Sequence, residues 1–249
     1  MSVIAVVVFV CLAGAVAFGM TMSQRLAAHH LSSESRDTVK LALGLVATLA
    51  ALLLGLLVSS AKGTFDAERE QVNALAAKIA TLDRVLTLYG AEAAGARGEL
   101  RVIIESAIAE IWPTSDGRRS DLSFDPQRGE AIFRSIASLN PANPLQSDLK
   151  ARATGLAFEL IEGRSMFVAL AAGGISVPVL TLVIAWLVVI LFGFSIMAPR
   201  NALTGTALII SAAAVCGAVL LLLELYTPFN GVIQISSEPL LAALGQRVN

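Results

Sequence analysis

His29 and His30 are the only histidines in the chain, so metal or proton chemistry is sought there first. Neighbouring residues of a helix point about 100° apart, which keeps two adjacent rings from gripping one ion. An interfacial polar pair is the expectation, with pH sensing as its functional counterpart. Cys11 and Cys216 stand in separate apolar runs without metal-like spacing. They read as small buried hydrophobes. Walker loop, strand-linked dinucleotide fingerprint, zinc spacing and nucleophile elbow are all missing from the sequence. No catalytic residue, cofactor or metal site is therefore expected, and the chain does not read as an enzyme.

A stripe of small and hydroxyl residues offers more. Gly44, Thr48, Ala51, Gly55 and Ser59 follow one another at steps of 4, 3, 4 and 4, with Lys40 extending the stripe at one end and Lys62 near it at the other. Small residues permit close helix–helix packing in lipid. They also leave room for water along a pore, where basic ends attract anions. The two roles are compatible if the helix packs around an oligomer axis. Leu45, Leu49, Leu52 and Leu56 form a neighbouring stripe, read as a hydrophobic constriction or a lipid-facing surface. The pore-lining candidates are Lys40, Gly44, Thr48, Ala51, Leu52, Gly55 and Ser59.

The elements that position these residues follow from composition. Of 249 residues, 56% are hydrophobic and 15% charged, against roughly 25% charged in an ordinary soluble domain. Residues 2–24, 41–61, 165–199 and 201–223 contain no Asp, Glu, Lys or Arg. About 20 apolar residues cross a bilayer core as a helix, and backbone groups cannot stay unpaired in lipid. Four transmembrane helices are expected, at about 3–22, 39–60, 177–198 and 202–223. The first run has no positive n-region and is too long for a signal peptide, so it is read as a retained span.

Residues 62–164 hold 13 of the 18 basic and 15 of the 19 acidic residues. That near-neutral balance argues against a nucleic-acid partner. Val72, Leu75, Ile79, Leu82, Leu86 and Tyr89 recur at alternating steps of 3 and 4, a heptad seam that serves a bundle core or self-association. No proline lies between the second apolar run and Tyr89, so one long rod is expected, with a possible bend at Gly63. Further helices are expected at about 96–112 and 127–139 and from Asn143-Pro144 onward, with a polar loop at 114–126. The fold class is thus all-α: a polytopic membrane protein with four transmembrane helices and a helical soluble domain inserted between the second and third. The expected divisions are 1–60 (spans one and two), 61–172 (soluble bundle), 173–224 (spans three and four) and 225–249 (tail).

Glu224 closes the fourth run, where a carboxylate needs water or a partner such as Arg164 or Lys62. Tyr226 and Phe229 fit an interfacial aromatic belt, and Trp186, near the middle of span three, is expected to contact protein. Four spans put both termini and the soluble domain on one side. Arg25, Arg36, Lys40 and Arg200 flank the short loops of the other, but Lys62, Arg69, Lys78, Arg164 and Arg247 balance them. Charge alone leaves the orientation open.

Two stretches carry a resemblance. One is HHLSSESRDTVK at 29–40, running into LAALLLGLL at 49–57; the other is ELYTPFNG at 224–231, continuing to SEPL at 237–240. With the layout of two spans, a helical domain and two spans, the chain resembles a bacterial family described as bestrophin-like. True bestrophins, a further likeness, are pentameric ion channels with a cytosolic helical domain and a pore neck lined by the second span. The resemblance implies a homo-oligomeric channel for inorganic ions, a pentamer by the likeness to true bestrophins, embedded in the lipid of the bacterial inner membrane, with the helical domain cytoplasmic. It singles out His29, His30, Arg36, Glu224, Pro228 and Phe229 as interfacial or regulatory candidates. The acidic cluster that binds calcium in animal bestrophins does not follow Pro228-Phe229 here, so no calcium site is expected. The alternative to a channel is a membrane-anchored helical sensor or scaffold; a membrane enzyme ranks last.

Overall fold

The computed structural model describes residues 2–23, 25, 33–112, 126–171, 177–199, 201–229 and 231–245. Among them, every regular element is helical: α1 (Ser2–Met22), α2 (Ser33–Tyr89), α3 (Ala94–Ile111), α4 (Pro126–Ala137), α5 (Pro144–Ala171), α6 (Val177–Met197), α7 (Ala202–Leu225) and the short α8 (Glu238–Ala243). Four of these, α1, α2, α6 and α7, are long and apolar enough to cross a membrane. The chain divides into two compact units, Met1–Gly63 with Gly174–Tyr226 and Thr64–Gly173 with Thr227–Asn249.

In the first unit α1 packs on α6 and α7. Leu12 and Val16 of α1, Val183 and Leu191 of α6, and Ala212 and Val219 of α7 fill its core, with Ala50 of α2. Small residues set the approach. A Cβ on Gly19 would lie 2.7 Å from Ser195 Cβ and 2.8 Å from the Phe192 carbonyl oxygen, and one on Gly193 would lie 2.6 Å from Leu43. The buried Ser195 hydroxyl donates to Leu191 O (2.6 Å), so no polar atom of its side chain is left over. Trp186 packs against this core, as its mid-span position required. Cys11 and Cys216 are free thiols but not buried ones: Cys11 is exposed, and Cys216 is partly covered, its Sγ donating to Ala5 O at 3.3 Å. Asn201 caps α7, its Oδ1 accepting from Thr204 N at 2.7 Å.

The second unit is a helical bundle whose core joins Leu82, Leu86 and Tyr89 of α2 with Leu100 of α3, Ile136 of α4 and Leu156 of α5. The heptad seam is therefore spent on the chain's own interior, not on self-association. α2 is helical through Gly63. The helix stops at Gly90, whose φ of 123° and ψ of −169° fall in a region open essentially to glycine alone. Gln146 Nε2 then donates to the orphan Tyr89 carbonyl (3.0 Å). Lys150 Nζ reaches back from α5 to the carbonyls of Ala137 and Leu139, each at 2.7 Å, closing the end of α4. Asn143 Oδ1 accepts from Gln146 N (2.8 Å), the cap that Asn143-Pro144 announces. Most of the expected loop at 114–126, Arg200 and Arg247 lie outside the described residues.

The segment after α7 departs from expectation. Phe229 does not sit in an exposed aromatic belt but is buried, edge-on to Trp112 (5.2 Å between centroids) and to Phe167 (5.6 Å). Trp112 Nε1 donates to Ile235 O (2.7 Å), and Ile235 N donates to Pro228 O (2.8 Å). A partly buried indole favours a partner for its N–H, and this folded-back stretch of chain supplies it.

Candidate functional site

Along the apolar stretch of α2 the covered positions are Leu43, Ala50 and Ala61, flanked by the partly covered Ala47, Leu54 and Leu57. At 100° per residue these share one face, and the Gly44–Ser59 stripe is turned about 120° away from it. Lys40, Thr48, Ala51, Leu52, Gly55 and Ser59 are all exposed, and Gly44 is half-buried. A Cβ added at Gly44 or Gly55 would touch nothing within 4 Å. The stripe is thus not used for packing within the first unit. Leu45, Leu52 and Leu56, each more than 60% exposed, continue the same open arc.

The local chemistry of the arc is mild. Thr48 Oγ1 donates to Gly44 O (2.9 Å), so its oxygen remains an acceptor on the exposed side. Lys40 Nζ lies 3.6 Å from Asp37 Oδ1, an exposed i, i+3 pair worth little to stability. The best apolar window of α2 is 11% buried, against 22% in each of the other three membrane helices. A helix so apolar and so bare requires lipid or another protein surface around it.

Among the sequence candidates near membrane boundaries, His29 and His30 lie outside the described residues, as does the Arg36 side chain, although Arg36 belongs to α2. Glu224 is partly buried in the last turn of α7, and Pro228 and Phe229 are buried in the second unit. These six residues are therefore not shown gathered at one site. Among the described residues no group of three or more His, Cys, Asp or Glu is placed to hold a metal.

Two features escaped the sequence reading. The first is Glu68, which is 4% exposed and has one carboxylate oxygen without a hydrogen-bond partner among the described residues. Burial pushes its carboxyl above the ordinary 4.5, because desolvation disfavours the charged form. Its signal was present: extending the seam backward from Val72 by 4, 3 and 4 gives Glu68, Phe65 and Ala61, all buried. The second is a half-open pocket of about 140 Å³ in the second unit, lined by α2, α3, α5 and α8 with Ile132 of α4. Its wall is apolar apart from Glu110, Arg164 and the Trp112 indole. Burial lowers the pKa of the Arg164 guanidinium from its usual value. Nothing in residue spacing announces such a pocket, since it is a remainder of packing.

With this geometry in hand, comparison with known proteins is specific. Residues 10–240 match the bestrophin-like domain. A tryptophan-to-alanine variant of a bacterial bestrophin homologue from Klebsiella pneumoniae superposes with a TM-score of 0.65 at 14% identity, covering 97% of both chains. An isoleucine-to-threonine variant of the Klebsiella pneumoniae homologue gives 0.61 at 15% identity, covering 97% of this chain and 99% of that one. A structure described as a membrane protein, in a glycine-to-alanine variant, gives 0.65 at 15%, covering 98% and 99%. At such identities the likeness speaks for the fold alone. No curated protein matches the sequence significantly.

Proposed function

The chain belongs to the bestrophin-like family, and on that premise we propose that it is one subunit of a homo-oligomeric ion channel with α2 around the axis. The observation that carries this reading is the exposed arc of α2. It holds small and hydroxyl residues, it is turned away from the subunit's own core, and it belongs to the least covered membrane helix. In a ring of copies, Thr48, Gly55 and Ser59 would face the path, with Leu52 as its narrowest apolar point and Lys40 and Lys62 near the two ends. Small side chains at the axis leave width for a hydrated ion, and a leucine ring closes by dewetting. The family resemblance favours a pentamer in the bacterial inner membrane, four spans per subunit, and a cytoplasmic helical domain inserted between spans two and three.

A sensor or scaffold without transport is the second reading, and the half-open pocket in the helical unit is the observation that favours it. Imaging of the purified protein in lipid separates the two. A symmetric ring with α2 at the axis is expected, and ion flux through reconstituted protein should fall at least tenfold in Gly55→Leu. A monomer, or a ring whose axis is filled by other helices, would sink the channel reading.

A further inference from the structure

We infer that the turn between Pro228 and Ile235 anchors the chain to the membrane surface, with Val232 and Ile233 at its tip inserted at the headgroup–acyl boundary of the bilayer. Val232 is 91% exposed, more than any other large apolar residue among those described, and Ile233 beside it is 38% exposed. Leu88, Val102, Leu145, Phe158 and Met166 are exposed in the same unit, but each stands within four residues of a charged side chain. Single apolar residues on a charged surface need no explanation. The turn differs, because residues 225–237 contain no Asp, Glu, Lys or Arg.

The base of the turn keeps its tip outward. Ile235 N donates to Pro228 O (2.8 Å), and Trp112 Nε1 donates to Ile235 O (2.7 Å). Phe229 and Ile235 are buried on either side of the tip, Phe229 against Trp112 and Phe167. Folding Val232 inward would break these contacts, so its surface is covered from outside or left in water. Chain connectivity decides which covering is within reach. α7 is apolar enough to cross a membrane and ends at Leu225, seven residues before Val232. Seven residues span at most about 25 Å when fully extended. α6 and α7 are consecutive spans, so the start of α6 at Val177 and the end of α7 reach the same membrane face. Phe167, a wall of the base, precedes Val177 by only ten residues. Lipid also suits the tip in size and chemistry. Two side chains fall far short of the roughly 800 Å² that each partner buries in a stable protein interface. An apolar projection without charge gains by burial at the acyl boundary and has nothing ionic to desolvate. The anchor rests on the membrane fold and not on conduction, so its fate is separate from that of the channel reading.

Cys11 and Cys216 are the only cysteines, so full-length Cys11→Ala, Cys216→Ala protein accepts a nitroxide at a single added thiol. Val232→Cys is labelled in phosphatidylcholine nanodiscs, with Asn140→Cys, an exposed position after α4, as the water reference. Collisions with oxygen, which concentrates among acyl chains, are measured against collisions with a water-soluble nickel chelate. The oxygen-to-nickel ratio at 232 should exceed that at 140 by roughly tenfold, and adding phosphatidylglycerol should leave it unchanged, because apolar area and not charge holds the tip. Ile233→Cys carries the same comparison if a label at 232 disturbs the turn. Equal ratios at the two positions would place the tip in water and overturn the anchor. A label immobilised and shielded from both reagents would also overturn it, showing that a neighbouring copy covers the tip instead of lipid.

Discussion

The membrane stretch of α2 and its extension beyond residue 61 bury similar faces and expose different ones. In the first, Leu43, Ala50 and Ala61 are covered while the outer arc is uncharged: Thr48, Leu52, Gly55 and Ser59. In the second, Phe65, Glu68, Val72, Ile79, Leu82 and Leu86 are covered, and the outer positions are Lys62, Asp66, Arg69, Asn73 and Arg84. The helix repeat sets which residues turn inward in either place. The surroundings decide what the other face must be made of. A bare charged face is content in water, whereas a bare apolar face asks for lipid or for another subunit.

That contrast can be broken most directly by truncating one leucine on each face. Leu86 is fully buried, and Leu86→Ala should cost about 2–5 kcal/mol of stability in denaturant unfolding of the detergent-solubilised protein. Leu52 is 61% exposed, and Leu52→Ala should leave subunit stability within about 0.5 kcal/mol while altering flux or assembly. Equal losses at the two sites would erase the distinction between inner and outer faces.

Glycine sharpens the same point with a smaller effect. Gly19→Ala places a methyl 2.7 Å from Ser195 Cβ and 2.8 Å from a backbone oxygen, an overpacking that should cost about 1–3 kcal/mol. Gly55→Ala meets nothing and should be neutral or slightly stabilising to the subunit, through helix propensity. Thermal unfolding of the two variants side by side is the measurement. A destabilised Gly55→Ala would place a neighbouring surface against the arc.

Glu68 gives the smallest effect and a pH signature. Its folded pKa is raised above 4.5, so the folded state holds the proton more tightly than the unfolded one. Stability is full below the ordinary carboxylate value and falls as pH rises through the folded value. Glu68→Gln removes that slope and should be more stable than the parent above the window by about 1 kcal/mol, with the difference vanishing below pH 4.5. Parallel stability curves for parent and variant from pH 4 to 8 would show that the carboxylate finds a partner in the assembled protein.

Much of the fold was legible because its signals are local. The charge-free runs marked α1, α2, α6 and α7, and the 3-and-4 spacing marked the buried seam. Asn143-Pro144 marked a capped start. The candidate site was legible in part. Spacing placed Gly44 to Ser59 on one stripe, and the open arc agrees with that placement. Glu68 was hidden because the seam was begun at the first aliphatic residue, when a carboxylate held the preceding core position. Phe229 was misplaced because an aromatic beside a membrane helix suits an interfacial belt and a folded core equally well, until its neighbours are known.

By itself, the sequence determined that this chain is a helical membrane protein, since hydropathy over 20 residues and helical periodicity need no knowledge of distant contacts. Only the tertiary structure decided which face of α2 is left open, that Trp112, Phe167 and Phe229 meet, and that a half-open apolar pocket of about 140 Å³ remains beside the seam. Those are properties of how side chains far apart in sequence share space, and volume shared between helices has no signature along any one of them.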